Sequence, residues 1–158
     1  MTSFGELVLV LGDMHIPERA HSIPPAFSRM LVAGKMQHVI STGHVDTQLA
    51  ATWAPHLHAV AGEHDATNLP ETTVATVGAF RIGVLHGHAL LHNEDSSVRR
   101  ACIDRWRRKL QADILITGHT TEAAVTVDED AGYYHISPVR SKAGLEAVRA
   151  SNQCYTAT

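Results

Sequence analysis

Three times in the first 62 residues a short apolar run ends at a glycine, and each glycine opens a loop carrying Asp, Glu or His. The runs are Leu7–Leu11 before Gly12-Asp13, His38–Thr42 before Gly43-His44, and Leu57–Ala61 before Gly62-Glu63. Continuous rather than alternating apolar runs are the mark of strands buried on both faces, as in parallel sheets. Helical segments are predicted between them. Ser22–Ala33 has a capping serine, Pro24 in its first turn, and Phe27, Met30 and Leu31 on one face; the shorter Gln48–Ala54 stops at Pro55. The first half therefore reads as βαβαβ, which gathers its loops at the carboxyl ends of the strands, where α/β proteins build their sites.

After Pro70 the pattern becomes more antiparallel. Thr73–Val77 and Phe80–Leu85 are strands separated by Gly78-Ala79, a hairpin spacing. Asp95–Leu110 is the clearest helix, with Val98, Ala101, Cys102, Trp106 and Leu110 as its expected buried stripe. Asp113–Thr117 is a further strand before Gly118-His119, and Ala123–Val127 can pair with Tyr133–Ser137 across Asp128-Glu129-Asp130. With 158 residues and no low-complexity linker, the chain reads as a single α/β domain spanning 1–158.

Composition narrows the partners. The formal net charge is −3, so there is no global attraction to nucleic acid or to an anionic membrane. Six of the 13 Lys and Arg fall between Arg99 and Lys109, and the solvated face of an amphipathic helix accounts for them. Two cysteines, Cys102 and Cys154, read as free thiols of a reducing compartment. The N-terminal apolar run is too short for a signal peptide or a membrane span, so a soluble cytosolic protein is expected. Histidine is the outlier: there are 12. It is the commonest metal ligand, and the strand-end loops offer Asp13 and His15, then His44, then Glu63 with His64 and Asp65 beside it, then His86 with His88, then His119.

In order, Gly12-Asp13-Met14-His15, Gly43-His44, Gly62-Glu63-His64-Asp65, His86-Gly87-His88 and Gly118-His119-Thr120-Thr121 resemble the motifs of calcineurin-like metallophosphoesterases. Residues 7–43, 73–91 and 113–120 are most similar to one branch, the small phosphoesterase-like subunits of retromer, the endosomal sorting coat. The resemblance implies a four-layer αββα sandwich, two β-sheets flanked by helices with the site at one end. The family's final strands have no counterpart before Thr158 and are expected to be missing.

Active members hold two cations about 3.5–4 Å apart and join them through a carboxylate. The resemblance places that aspartate at His44, the family's asparagine at Glu63, and the closing histidine of the last motif at Thr121. An imidazole has one lone pair and cannot bridge two metals. The resemblance thus implies a non-catalytic scaffold without efficient two-metal hydrolysis. What remains is at most one zinc or manganese ion on His44, Glu63, His86 and His119, with Asp13 and His15 as further ligands, or a polar pocket with no ion. The alternative is a metal-dependent phosphodiesterase with a mononuclear or rearranged site, in which His64 is the catalytic histidine.

The resemblance further implies that the degenerate metal face binds the large α-solenoid subunit of retromer, with Ile16, Pro17, Leu90 and Leu91 on its rim. A second apolar surface, including Leu7, Met30 and Leu31, matches part of a groove for Pro-Leu-motif regulators. Such a subunit is cytoplasmic and peripheral on endosomes through its complex, takes part in endosome-to-Golgi protein transport, binds no nucleic acid and does not insert into membrane. His21, His38, His56, His58, His92 and His135 receive no role from the motifs.

Overall fold

In a computed structural model of the chain, the structure describes residues 5–16, 22–23, 25, 29, 36–45, 52, 56–63, 65, 68–90, 95–120 and 123–138. The first three strands, β1 (Val8–Leu11), β2 (His38–Ser41) and β3 (His56–Ala59), pair in parallel in the order β1-β2-β3. Their continuous apolar runs have the reason expected. Alternate side chains go to opposite faces of a strand, and both faces are covered. Val8, Val10 and Ile40 join one cluster, while Leu9, Leu11, Val39 and Leu57 join another with Ile16, Ile23, Met36 and Leu69.

The second sheet holds β4 (Thr72–Val77), β5 (Phe80–Leu85), β6 (Ile114–Thr117), β7 (Ala124–Asp128) and β8 (Tyr133–Ser137), in the order β4-β5-β6-β8-β7. β4 and β5 form the expected antiparallel hairpin, and β7 pairs antiparallel with β8, but β5, β6 and β8 run parallel. The cluster between the sheets joins Val8, Val10, Ile40 and Val60 to Ala75, Val77, Ile82, Val84, Ile116 and Ile136. Among the described residues, the helix α1 (Ser96–Leu110) covers the far face of the second sheet. Two β-sheets packed face to face, with a helix outside, give the expected sandwich in part. The helical segments expected at Ser22–Ala33 and Gln48–Ala54 lie almost wholly outside the described residues. Within the first of them, Arg29 N–H donates to Pro25 O, the i to i−4 step of a helix.

α1 starts where Asp95 accepts the Ser97 N–H at 2.8 Å and ends on Gln111, whose φ of 51° is left-handed. Its buried face differs from the expected stripe. Val98 and Ala101 are exposed, and the buried residue is Ile103, packed with Leu85, Leu90, Leu115 and Tyr133. Cys102, Trp106 and Leu110 flank it as expected. The stripe is centred on 103 because positions 102, 103, 106 and 110 meet the sheet together at helical spacing. Arg100 pairs with Asp128, and Arg107 and Arg108 with Asp104, so half of the basic run has carboxylate partners. Cys102 is a half-buried free thiol, and no helix among the described residues is long and apolar enough to cross a membrane.

Candidate metal centre

The loops that follow β1, β2, β3, β5 and β6 meet at one end of the sandwich, and backbone hydrogen bonds tie them together. His15 N–H donates to His44 O at 3.1 Å, Thr42 N–H to Leu11 O at 3.1 Å, and Gly118 N–H to Leu85 O at 3.4 Å. Asp13 and His86 are almost fully buried there, with His86 Nδ1 3.5 Å from Asp13 Oδ1. His15 stacks on His44 with ring centroids 4.2 Å apart, and His86 meets His44 and His119 edge-on, each at 5.0 Å.

These side chains form two groups of three with donor atoms close enough for one cation: Asp13, His15 and His44, and Asp13, His86 and His119. Asp13 belongs to both. The donor chemistry fits zinc, which favours imidazole nitrogen and carboxylate oxygen. His86 Nδ1 donates to Thr42 O at 2.7 Å, which leaves Nε2 with its lone pair, 3.1 Å from His119 Nδ1. Two nitrogens on one tetrahedral zinc stand about 3.3 Å apart, given bonds of about 2.0–2.1 Å. Burial holds the His86 pKa below the ordinary imidazole value, with His44 and His88 pushing the same way against the Thr42 bond. The ring is therefore neutral at pH 7, as a ligand must be.

His15, His44 and His119 have φ of 49°, 50° and 58°. Left-handed backbone is unusual for residues other than glycine and gathers at functional sites. Among the described residues only one other non-glycine residue, the helix-capping Gln111, shares it. The turns that aim these rings into the pocket are thus held against local preference by the loops around them.

The third loop differs from the expectation. Glu63 is exposed and belongs to neither three-donor group. The carboxylate that the loop turns toward the site is Asp65. Its Oδ2 accepts the N–H groups of His44 at 2.8 Å and Gly62 at 2.7 Å, and its Oδ1 lies 3.1 Å from His44 Nδ1. Burial alone would raise the Asp65 pKa, but these bonds and the His44 ring hold it below the usual carboxylate range. Asp65 fixes the His44 tautomer from behind, as carboxylates do for metal-binding histidines. The signal was present in the sequence as Gly62-x-x-Asp65, a turn closed by the Asp65 N–H to Gly62 O bond at 3.3 Å.

Asp65→Asn is expected to destabilise the chain by about 1–2 kcal/mol, because an amide presents one acceptor oxygen where the carboxylate offers two charged ones. Zinc affinity should fall about 10–100-fold. Denaturant unfolding and equilibrium dialysis read the two effects, and an unchanged zinc affinity would remove the orienting role.

Of the other expected site residues, His88 is exposed on the short 3₁₀ turn His88–Leu90 after β5, its ring centroid 5.6 Å from that of His86. Leu90 is a correction. It was expected on the rim, but it is 4% exposed in the core under α1, with its N–H bonded to Gly87 O. The tight turn points it inward. Ile16 is half-buried against the cluster outside the first sheet. Leu7 is half-buried beside β1, its N–H donating to Gln37 Oε1. Pro17, Met30, Leu31, His64, Leu91 and Thr121 lie outside the described residues.

Comparison with known proteins gives consistent results. The calcineurin-like phosphoesterase superfamily domain matches residues 7–145. Vacuolar protein sorting-associated protein 29 of Schizosaccharomyces pombe is 33% identical over 138 residues, covering 84% of this chain and 70% of that protein. Among solved structures, Vps29 of Chaetomium thermophilum superposes with a TM-score of 0.74 at 29% identity, covering 92% of this chain and 76% of that one. Wild-type Vps29 of Entamoeba histolytica, solved in complex with Zn²⁺, gives 0.69 at 36% identity, covering 84% and 73%.

Proposed function

We propose that this chain, which belongs to the calcineurin-like phosphoesterase superfamily and within it to the Vps29 family, is a non-catalytic scaffold subunit of a retromer-type sorting complex. It binds the large α-solenoid subunit through its degenerate metal face and works in endosome-to-Golgi transport from the cytoplasmic surface of endosomes. The observation that carries the non-catalytic reading is His44. Its Nδ1 is engaged by Asp65, so a single nitrogen remains where a working centre has a bridging carboxylate with two oxygens. A zinc ion fits either group around Asp13, and when bound it supplies Lewis-acid polarisation of an oxygen ligand. The protein's own contribution is to orient the two rings, His86 through Thr42 O and His44 through Asp65, while burial keeps His86 neutral.

Size-exclusion chromatography with a recombinant solenoid fragment tests this reading. Co-elution is expected for the parent, and its loss for Leu91→Asp with the circular dichroism spectrum retained. No co-elution, or co-elution indifferent to Leu91→Asp, would overturn it.

A phosphodiesterase with a mononuclear or rearranged site is favoured by one observation, the sharing of Asp13 between two three-donor groups. It calls for zinc- or manganese-dependent hydrolysis of an aryl phosphodiester that disappears in His86→Ala. The Pro-Leu-motif surface stays part of the proposal through Leu7, Met30 and Leu31.

A further inference from the structure

Arg100, Arg107 and Arg108 of α1 have carboxylate partners. Arg99 is half-buried and, among the described residues, has none. It lines a cleft of about 640 Å³ between the first two turns of α1 and the strands β7 and β8. None of the side chains grouped around Asp13 lines this cleft. Small-molecule sites occupy roughly 300–1,000 Å³, with mostly apolar walls and a few placed polar groups.

The two periodicities of the chain build it. Ser96, Arg99 and Ile103 share one stripe of the helix through spacings of three and four. On β8, His135 and Ser137 share the face of Tyr133, and Thr126 and Ala124 of β7 stand in register beside them. Further along the helix, Ile103 closes on Leu85, Leu115 and Tyr133. Toward the start of α1 the facing side chains are Ser96, Ala124 and Ser137, which are too small to meet, and the space between them is the cleft. Ser137 is 3% exposed, and among the described residues nothing bonds its hydroxyl. Its bonding capacity is therefore open to whatever enters.

Charge selects the class of ligand. Arg100 donates from Nε and Nη2 to Asp128 Oδ2, at 3.1 and 2.9 Å, so those two charges cancel. His135 is neutral at pH 7, because burial and then repulsion from Arg99 lower its pKa to about 4. Arg99 thus leaves the cleft with one uncompensated positive charge. A carboxylate carries one negative charge and matches the guanidinium fork. A phosphate monoester, at about −1.5 to −2, would set its second charge against Asp128. We propose that this cleft binds a small organic carboxylate, with its oxygens on the Arg99 guanidinium and the Ser137 and Thr126 hydroxyls, and its apolar body against Ile103 and the Tyr133 ring.

Titration of the full chain with 4-phenylbutyrate, followed in ¹H–¹⁵N amide spectra, tests the site. Saturable shifts are expected at the amides of Arg99, Thr126 and Ser137. The neutral isostere 4-phenylbutanol should bind about tenfold more weakly, and Arg99→Gln should weaken 4-phenylbutyrate by a similar factor. Ala124 is exposed, so Ala124→Phe closes the cleft without disturbing the core and should abolish the shifts. Absence of saturable shifts in the parent, shifts confined to Asp13 and His86, or equal affinity for the alcohol would each overturn the proposal. So would binding unchanged in both variants. Tighter binding of phenyl phosphate than of 4-phenylbutyrate would overturn the carboxylate assignment. No zinc and no partner protein enters the measurement, so its outcome is independent of the sorting role.

Discussion

Gly43→Ala is expected to lower stability by about 3–5 kcal/mol and to abolish zinc binding at the Asp13 pocket. Gly43 has a φ of +127°, a conformation open essentially to glycine alone. A methyl group there would meet Gly62 Cα, Gly62 N and His86 Nδ1, each at 2.8 Å. None of these can move aside cheaply. Gly62 N is held by Asp65, and His86 Nδ1 by Thr42 O. Backbone strain contributes about 1–3 kcal/mol, and overpacking a similar amount. At about 2–4 °C per kcal/mol for a chain of this size, Tm falls by about 10 °C. Gly78→Ala is the matched control, with positive φ of +56° but nothing within 4 Å of the added methyl. It carries the strain without the collision and should cost about 1 kcal/mol. Equal losses in thermal denaturation of the two variants would mean that the close approach of the β2 and β3 loops is not what Gly43 protects.

The same loops show which parts of the site can be read from residue order and which cannot. Asp13, His15, His44, His86 and His119 were identifiable because each follows an apolar run, and the strand ends do bring them together. The family motif pointed to Glu63 in the third loop. The choice between Glu63 and Asp65 depends on which carboxylate can reach two backbone N–H groups, and that is decided by the Gly62 turn in space. Likewise, no local pattern predicts left-handed backbone at three histidines, because local preference opposes it and tertiary hydrogen bonds impose it.

Register was the other hidden variable. His38, His56 and His58 looked like scattered histidines until the pairing of β2 with β3 put them on one face. Leu90 looked like half of an exposed Leu-Leu pair until the turn after β5 aimed it at Ile103. The strands, by contrast, were legible almost to the residue. A run such as Val8–Leu11 has every side chain buried, and in an α/β chain few structures other than a central parallel strand satisfy it.

A histidine that the motifs left without a role is expected to dominate the acid sensitivity of the fold. His135 on β8 is 7% exposed, with Nε2 2.9 Å from Thr117 Oγ1. Burial, with Arg99 adding repulsion, lowers its pKa from 6.5 to about 4. The unfolded chain therefore takes up this proton more readily than the folded one between those two values. Stability rises with pH wherever the unfolded state binds more protons. The contribution of neutral His135 is thus complete above pH 6.5 and is lost as pH falls toward 4. The full effect is about 3 kcal/mol, at about 1.4 kcal/mol per pH unit, and about 2 kcal/mol of it is gone at pH 5. Urea unfolding at pH 7.5 and pH 5 measures this directly. His135→Gln keeps a hydrogen-bonding partner for Thr117 but does not titrate, so its stability should fall about 2 kcal/mol less than the parent's over that interval. His58 and His86 are also held below their ordinary values, but they are common to both proteins and cancel in the difference. If the two proteins lose stability in parallel, the acid sensitivity arises elsewhere, and His135 is protonated in the fold as readily as in the open chain.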